Sequence, residues 1–250
     1  ERTVATPAAA MPIRVTLGLV ACIATVLSVP AKDFAEGNEC KVVKTVPNLN
    51  LTEYTRATWF IQEMQITGYE PLNQDYCVTA TYNQEHKKVP FFKGTVVTVY
   101  NYANEGGVNG KAMGAVNTTS KPFELCARVP HEEESSKLLV APCLIPNLFA
   151  GPYWVLAVGG SQSKYEWAVV SGGQPTVQYD DGCTTKEDGV NGSGLWLFSR
   201  KQVASKETID AMHAAIKAQG ITLSRLHKVP QAGCTYHDEA LFKPDPDYQA

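Results

Sequence analysis

The chain has 250 residues, of which 44% are hydrophobic, and this is enough to form a packed core in one large domain or two small ones. Its 22 basic and 25 acidic residues leave a formal net charge of −3, without the basic excess that favours binding to nucleic acid or to an anionic membrane surface. The composition therefore excludes a disordered chain and a collagen-like repeat, and it argues against a nucleic-acid partner.

The N-terminal segment has the pattern of a signal peptide. Arg14 supplies a positive charge, an apolar run follows from Val15 to Val29, and the small residue Ala31 fits a cleavage position. The run is shorter than the about 20 residues that a transmembrane helix needs, and no basic stop-transfer cluster follows it. We expect cleavage, so membrane association would require that this segment stays uncleaved. Ten residues precede Met11 and could belong to an upstream targeting segment. The expected location of the protein is therefore either the extracellular space or an oxidising organelle lumen such as the plastid lumen.

The cysteine count becomes even once the signal peptide is removed. Cys22 lies inside the apolar run, and the six that remain are Cys40, Cys77, Cys126, Cys143, Cys183 and Cys234. An even set in an exported chain indicates disulfide bonds. No C-x-x-C spacing occurs, which argues against a zinc knuckle and a thioredoxin-type redox site. The N-x-S/T sequons at Asn50, Asn117 and Asn191 are compatible with a glycoprotein.

The segment after the tether is dominated by strand-like runs separated by turns rich in Gly, Pro and Asn. The runs are 58–67, 76–83, 94–102, 111–119, 123–129, 137–141, 153–158, 165–171 and 195–201. One helix is predicted at 206–219, with Ser205 as its N-cap and Gly220 at its end. Its buried stripe would be Ile209, Met212, His213 and Ile216.

This pattern favours one all-β domain, an eight-stranded up-and-down antiparallel β-barrel with one C-terminal α-helix packed on it, because closing a barrel removes the exposed edges that a sandwich keeps. The expected organisation is a signal or targeting segment at 1–31, an N-terminal tether at 32–50, the barrel with its helix at 51–236, and a tail at 237–250.

Three segments resemble motifs of the lipocalin family, closest to the branch of apolipoprotein D and the bacterial and plant lipocalins. Ala57-Thr58-Trp59 is similar to the G-x-W motif, and Leu195 to Arg200 is similar to the last-strand motif whose arginine lies over that tryptophan. Pro152-Tyr153-Trp154 resembles the sixth strand, although Val158-Gly159-Gly160 replaces the usual T-D-Y turn.

The resemblance covers residues 46–234 and implies a structural contact between Trp59 and Arg200. It also implies disulfide bonds between Cys77 and Cys234 and between Cys40 and Cys183. Cys126 and Cys143 are then left to pair with each other.

The sequence contains no complete version of the common enzymatic motifs. His131 begins an H-E-x-x sequence but lacks the second histidine that zinc would need, Lys111 follows Gly110 without the upstream glycine and the Ser/Thr of a P-loop, and no G-x-S-x-G occurs. We therefore expect no catalytic residues, no metal and no cofactor.

A barrel of this size can hold one small ligand. If Trp59 points inward, strict alternation places Ile61, Glu63 and Gln65 on the same side and turns Phe60, Met64 and Ile66 outward. The aromatic candidates for the lining or the rim are Tyr100, Tyr102, Trp154, Trp167 and Phe198. Plain core packing is an equally good explanation for each of these side chains.

The leading functional hypothesis is a non-enzymatic carrier of a small hydrophobic ligand such as a fatty acid, sterol, retinoid or carotenoid. The first alternative is a lipocalin-type enzyme acting on a lipid or a xanthophyll, for which a reactive cysteine would be one mark. The second is an interaction protein whose barrel is filled by side chains and whose long loops bind a partner.

Overall fold

A computed structural model of the chain describes residues 39–83, 88–114 and 124–236. The predicted signal peptide at 1–31, the first part of the tether, the sequon at Asn117 and the predicted tail at 237–250 lie outside the described residues.

Twelve described strands and two described α-helices follow one another along the chain. The strands are β1 Trp59–Gln65, β2 Tyr76–Asn83, β3 Val96–Glu105, β4 Lys111–Gly114, β5 Leu125–Arg128, β6 Lys137–Pro142, β7 Gly151–Ser161, β8 Lys164–Ser171, β9 Val177–Tyr179, β10 Gly182–Thr184, β11 Leu195–Ser199 and β12 Leu226–Lys228. The helices are α1 Leu51–Tyr54 and α2 Lys206–Ala218.

The main sheet closes on itself. Antiparallel pairing runs from β1 through β2, β3, β5, β6, β7, β8 and β11, and β11 pairs with β1 again. The short strand β4 pairs with the C-terminal half of β3, whereas β5 pairs with its N-terminal half, so the two occupy one position in the wall. The predicted fold class is confirmed: the chain forms an eight-stranded antiparallel barrel followed by one helix, the architecture of the lipocalin fold.

Two apolar cores lie on opposite sides of the barrel wall. The strand β11 shows why both exist, because Phe198 packs into the barrel interior with Trp59, whereas Leu197 faces Met212 and Ile216 of α2. A strand that is apolar on both faces must be covered on both, and the helix provides the outer cover. Ser205 caps α2 by accepting a hydrogen bond from the backbone N–H of Thr208, as its sequence pattern predicts.

One end of the barrel is closed by α1 and by an arginine. The Arg200 guanidinium lies 3.5 Å from the centre of the Trp59 ring and donates hydrogen bonds to the backbone carbonyls of Glu53, Tyr54, Ala57 and Thr58. The indole N–H of Trp59 donates to the Tyr54 carbonyl at 2.9 Å. This is the contact that the lipocalin resemblance implies, and it supplies hydrogen-bond donors to backbone carbonyls at this end of the barrel.

Three disulfide bonds join Cys40 to Cys183, Cys77 to Cys234 and Cys126 to Cys143. The first two tie the segments before and after the barrel to it, across 143 and 157 residues of sequence, and the third links the β5 strand to the end of β6 across 17 residues. These are the two pairings that the resemblance implies and the one left over.

Candidate functional site

A cavity of about 450 Å³ occupies the barrel interior. Most of its lining is aliphatic or aromatic: Ile61, Val78, Ala80, Val99, Leu125, Val140, Phe149, Pro152, Trp196 and Phe198. The lining residues come from strands far apart in the sequence, because alternate side chains of the wall strands point inward. Such a surface removes an apolar molecule from water at roughly 25 cal/mol per Å² of buried apolar area.

The end of the cavity nearest Trp59 carries a cluster of three tyrosine hydroxyls. The Tyr153 hydroxyl lies 2.6 Å from that of Tyr54 and 2.7 Å from that of Tyr82. Tyr82 and Tyr153 line the cavity, and Tyr54 lies behind them in α1, packed 5.4 Å from the Trp59 ring. Burial raises the pKa of all three phenols, so they remain neutral hydrogen-bond donors at physiological pH.

The opposite end, where β1 turns into β2, forms the mouth. Glu70 lines the cavity there and accepts a hydrogen bond from the indole N–H of Trp196 at 3.0 Å. The hydroxyl of Tyr69 donates to the Ser193 carbonyl at 3.0 Å, which joins this turn to the loop before β11. The pKa of the Glu70 carboxyl is raised to about 7: burial is the main cause, the Trp196 hydrogen bond lowers the pKa, and the nearby Asp75 raises it.

The β6–β7 loop forms the apolar part of the rim. Leu144, Leu148 and Phe149 are 67%, 86% and 63% exposed, and Phe149 also lines the cavity. The loop is held from below by Arg128, a fully buried side chain that donates to the carbonyls of Cys126, Ala141, Pro142 and Ile145. The rim therefore combines exposed apolar side chains with a backbone that is firmly anchored.

Of the eight residues predicted to bind a ligand, the structure places Ile61 and Phe198 in the cavity wall. Glu63 and Gln65 lie elsewhere, because the pairing of β1 with β11 shifts by one residue between Ile61 and Glu63. A bulge of this kind reverses the inward and outward positions beyond it.

The consequences of the bulge are visible on both faces of β1. Glu63 turns outward and pairs with His213 of α2 at 2.7 Å, and Gln65 hydrogen-bonds Thr184 and Thr185 outside the cavity. Met64, predicted to face outward, instead joins the interior core. Phe60 precedes the bulge and does face outward, where its ring packs against Tyr236 rather than against the helix.

The remaining four aromatic candidates do not line the cavity. Trp154 and Trp167 pack in the outer core with α2, and Tyr102 packs outside the wall with Tyr236 and the Cys77–Cys234 bridge. Tyr100 lies on the same side of β3 as Tyr102, whereas Asn101 between them lines the cavity. The strands were predicted in these segments, but composition did not determine which of their side chains face the interior.

Sequence reasoning missed the polar residues that distinguish this cavity, Tyr82, Tyr153, Glu70 and Asn101. Alternation along a strand could have indicated Tyr153, because it is adjacent to the outward-facing Trp154. It could also have indicated the aromatic Trp196, which lies two positions before Phe198 and therefore on the same side of β11. Glu70 left no such signal because it lies in a turn, where side-chain direction does not follow a period.

The described residues were also compared with the requirements of a reactive thiol, a metal site and a membrane span. All six cysteines there are in disulfide bonds, and no group of three or more His, Cys, Asp or Glu side chains is arranged to hold a metal ion. Neither described helix has the length and apolarity that a membrane span requires.

No known family model matches the chain, and no curated protein matches it. Among solved structures, the chain is similar to H1 crustacyanin from the lobster Homarus americanus, at 16% identity and a TM-score of 0.47 over 78% of this chain and 90% of that one. It is also similar to insecticyanin from the tobacco hornworm Manduca sexta, at 16% identity and a TM-score of 0.47 over 79% and 89%. The cockroach allergen Per a 4 matches at 14% identity and a TM-score of 0.46 over 78% and 96%. At these levels, the closed strand pairing of the chain itself is what establishes its fold.

Proposed function

We propose that the protein binds and carries a small hydrophobic molecule inside the barrel. The observation that supports this proposal is the cavity itself, because about 450 Å³ of interior space is lined mainly by apolar side chains and opens beside an exposed apolar rim. Pockets of this volume and composition are typical of small-molecule sites.

The volume restricts the ligand. At the packing density of protein interiors, about 0.74, this space accommodates on the order of twenty non-hydrogen atoms. A fatty acid or a retinoid fits within that limit, whereas a sterol exceeds it. A carotenoid, with roughly twice as many atoms, would extend through the mouth past Phe149 and Val190.

Carriage is favoured over the two alternatives by specific observations. The bonded cysteines leave no reactive thiol in the described chain, which removes that basis for lipocalin-type catalysis. The open lumen differs from the filled barrel that a pure interaction protein would have. The three disulfides also support placement in an extracellular or oxidising lumenal compartment.

Titration of the oxidised protein with the fluorescent fatty acid cis-parinaric acid tests the proposal. We expect saturable binding with one site per chain and a dissociation constant in the micromolar range or below, about −8 kcal/mol or better. The absence of binding by this probe and by retinol would contradict the proposal.

A contact quencher locates the ligand. Trp196 lines the cavity, whereas Trp154 and Trp167 pack outside the wall. A fatty acid brominated in its chain should therefore quench the wild type and the Trp154→Phe control by the same amount, and should lose most of this quenching in Trp196→Phe. Equal quenching in both variants would contradict a ligand bound beside Trp196.

A further inference from the structure

Exposed apolar side chains concentrate at the mouth of the barrel. The described loops at that end join β1 to β2, β3 to β4, β6 to β7 and β8 to β11. Six exposed apolar or aromatic residues in these loops form what we call the mouth patch: Tyr69, Leu72, Leu144, Leu148, Phe149 and Val190. Among the described residues, the large apolar side chains exposed away from this end are Val42 in the tether and Phe91 and Val203 at the closed end. Single exposed apolar residues are ordinary, whereas their clustering on one surface indicates an interaction site.

The loops that carry the mouth patch are joined to one another around the cavity opening. The Tyr69 hydroxyl connects the β1–β2 loop to the Ser193 carbonyl of the β8–β11 loop at 3.0 Å. The Asn191 amide of that second loop donates to the Phe149 carbonyl of the β6–β7 loop at 3.4 Å. Tyr69, Phe149 and Val190 also line the cavity. A partner that covers the mouth patch therefore also meets the opening.

The shape of the mouth patch favours a fluid partner over a protein. Leu148 and Val190 are 86% and 79% exposed, so their side chains project from the surface instead of lining a groove. A protein partner would need a complementary surface to pack against such tips, whereas the interface of a bilayer accepts projecting apolar side chains without a fixed shape. A second copy of the chain, placed mouth to mouth, would close both cavities to the ligand that we propose.

The charges beside the mouth patch indicate a membrane of zwitterionic lipid. Lys186 is the only basic residue in the four mouth loops, and the β6–β7 loop has no charged residue at all. The β8–β11 loop also carries Asp180, Asp181 and Asp188 at exposed positions. Attraction to an anionic membrane needs a cluster of basic residues, so the apolar side chains must supply the affinity.

We infer that the mouth patch docks the barrel on the surface of a zwitterionic bilayer, with the tips of Leu144 and Leu148 inserted among the lipid head groups and the cavity opening toward the membrane. This interaction goes beyond the proposed function, because it belongs to the outer surface and needs no ligand in the cavity. It is also independent of the N-terminal segment, the route of membrane association that the sequence predicted. In this orientation a hydrophobic ligand passes between bilayer and cavity without crossing water.

An environment-sensitive fluorophore locates the contact. The oxidised protein is labelled with NBD through Leu148→Cys in one sample and through Val203→Cys, an exposed position at the closed end, in another. Vesicles of phosphatidylcholine should shift the emission of the label at position 148 to the blue and should leave the label at position 203 unchanged. The inference is overturned by an equal response at the two positions, and equally by no response at position 148.

A pair of charge variants measures how much the mouth patch contributes. In Leu144→Asp/Leu148→Asp, neither position lines the cavity, and partitioning onto phosphatidylcholine vesicles in a flotation assay should fall about tenfold or more. The matched control is Phe91→Asp/Val203→Asp, which adds the same two charges at the closed end and should partition like the wild type. Equal partitioning of the mouth variant and the wild type would contradict the inference. So would binding that appears only after phosphatidylserine is added to the vesicles.

Titration with cis-parinaric acid in the absence of vesicles separates this inference from the proposed function. Leu144→Asp/Leu148→Asp should bind the probe as the wild type does. Probe binding without vesicle binding would overturn membrane docking and leave the carrier function standing, and vesicle binding without probe binding would do the reverse. Sedimentation velocity tests the remaining occupant: a wild-type dimer that the mouth variant loses, with no flotation of either protein, would make the mouth patch a contact with a second copy and overturn membrane docking.

Discussion

Glu70 is a carboxyl group in the wall of an otherwise apolar cavity, and its ionisation is linked to stability. Burial raises its pKa from the ordinary 4.5 to about 7, so the folded state holds the proton more tightly than the unfolded state. The resulting stabilisation is fully present below pH 4.5 and is lost as the pH rises through about 7.

The variant Glu70→Gln keeps an oxygen for the Trp196 indole and removes the charge. We expect it to match the wild type in free energy of unfolding at about pH 4 and to exceed it at about pH 8, measured by urea denaturation. Because Glu70 is only half-buried, solvent screening reduces the size of the difference. Glu166→Gln, at an exposed position on β8, is the control and should show no such change. Identical stability of Glu70→Gln and the wild type at both pH values would show that the carboxyl is not desolvated.

Single residues also show what could be predicted at this scale. Phe198, predicted only as an aromatic candidate for the lining or the rim, lines the cavity. Ile61 was placed there by alternation, and nothing interrupts the phase between Trp59 and Ile61. Alternation placed Glu63 inside as well and was wrong, because a one-residue bulge leaves no mark in composition and reverses the side of the residues after it.

At the scale of elements, the same bulge creates the contact between the barrel wall and α2. Glu63 and His213 meet at 2.7 Å, in addition to the apolar stripe of Met212 and Ile216. Glu63→Gln should lower the free energy of unfolding by about 1 kcal/mol, the size of one partly buried hydrogen bond, and should leave the affinity for cis-parinaric acid unchanged.

An ion pair on the same helix provides the control for that prediction. Lys206 and Asp210 pair on the exposed face of α2, so Asp210→Asn should leave the free energy of unfolding nearly unchanged. A large loss of ligand affinity in Glu63→Gln, with stability preserved, would instead make Glu63 a ligand contact.

The elements themselves were largely predictable. The helix at 206–219 was recognised from its cap and its apolar stripe, and β2 has the predicted bounds. The short elements α1, β9 and β10 were missed, since four and three residues are too few to show a period.

At the scale of the whole molecule, the disulfides should contribute unequally. The Cys77–Cys234 bridge closes 157 residues and the Cys126–Cys143 bridge closes 17. Chain entropy assigns about 5 kcal/mol to the longer loop and about 3 kcal/mol to the shorter one. Replacing Cys77 and Cys234 by alanine should therefore lower the unfolding midpoint in guanidinium more than replacing Cys126 and Cys143. An equal or reversed order would show that the shorter bridge acts mainly through the folded state.

The sequence by itself determined the class of fold and the helix, because local periodicity and capping are written in neighbouring residues. The lipocalin resemblance implied two cysteine pairs, with the third left over, and the contact of Arg200 with Trp59. Only the tertiary structure decided which side chains face the cavity and which polar groups meet at its closed end. Those depend on strand register and on distances between Tyr54, Tyr82 and Tyr153, which are far apart in the chain and brought together only when the barrel closes.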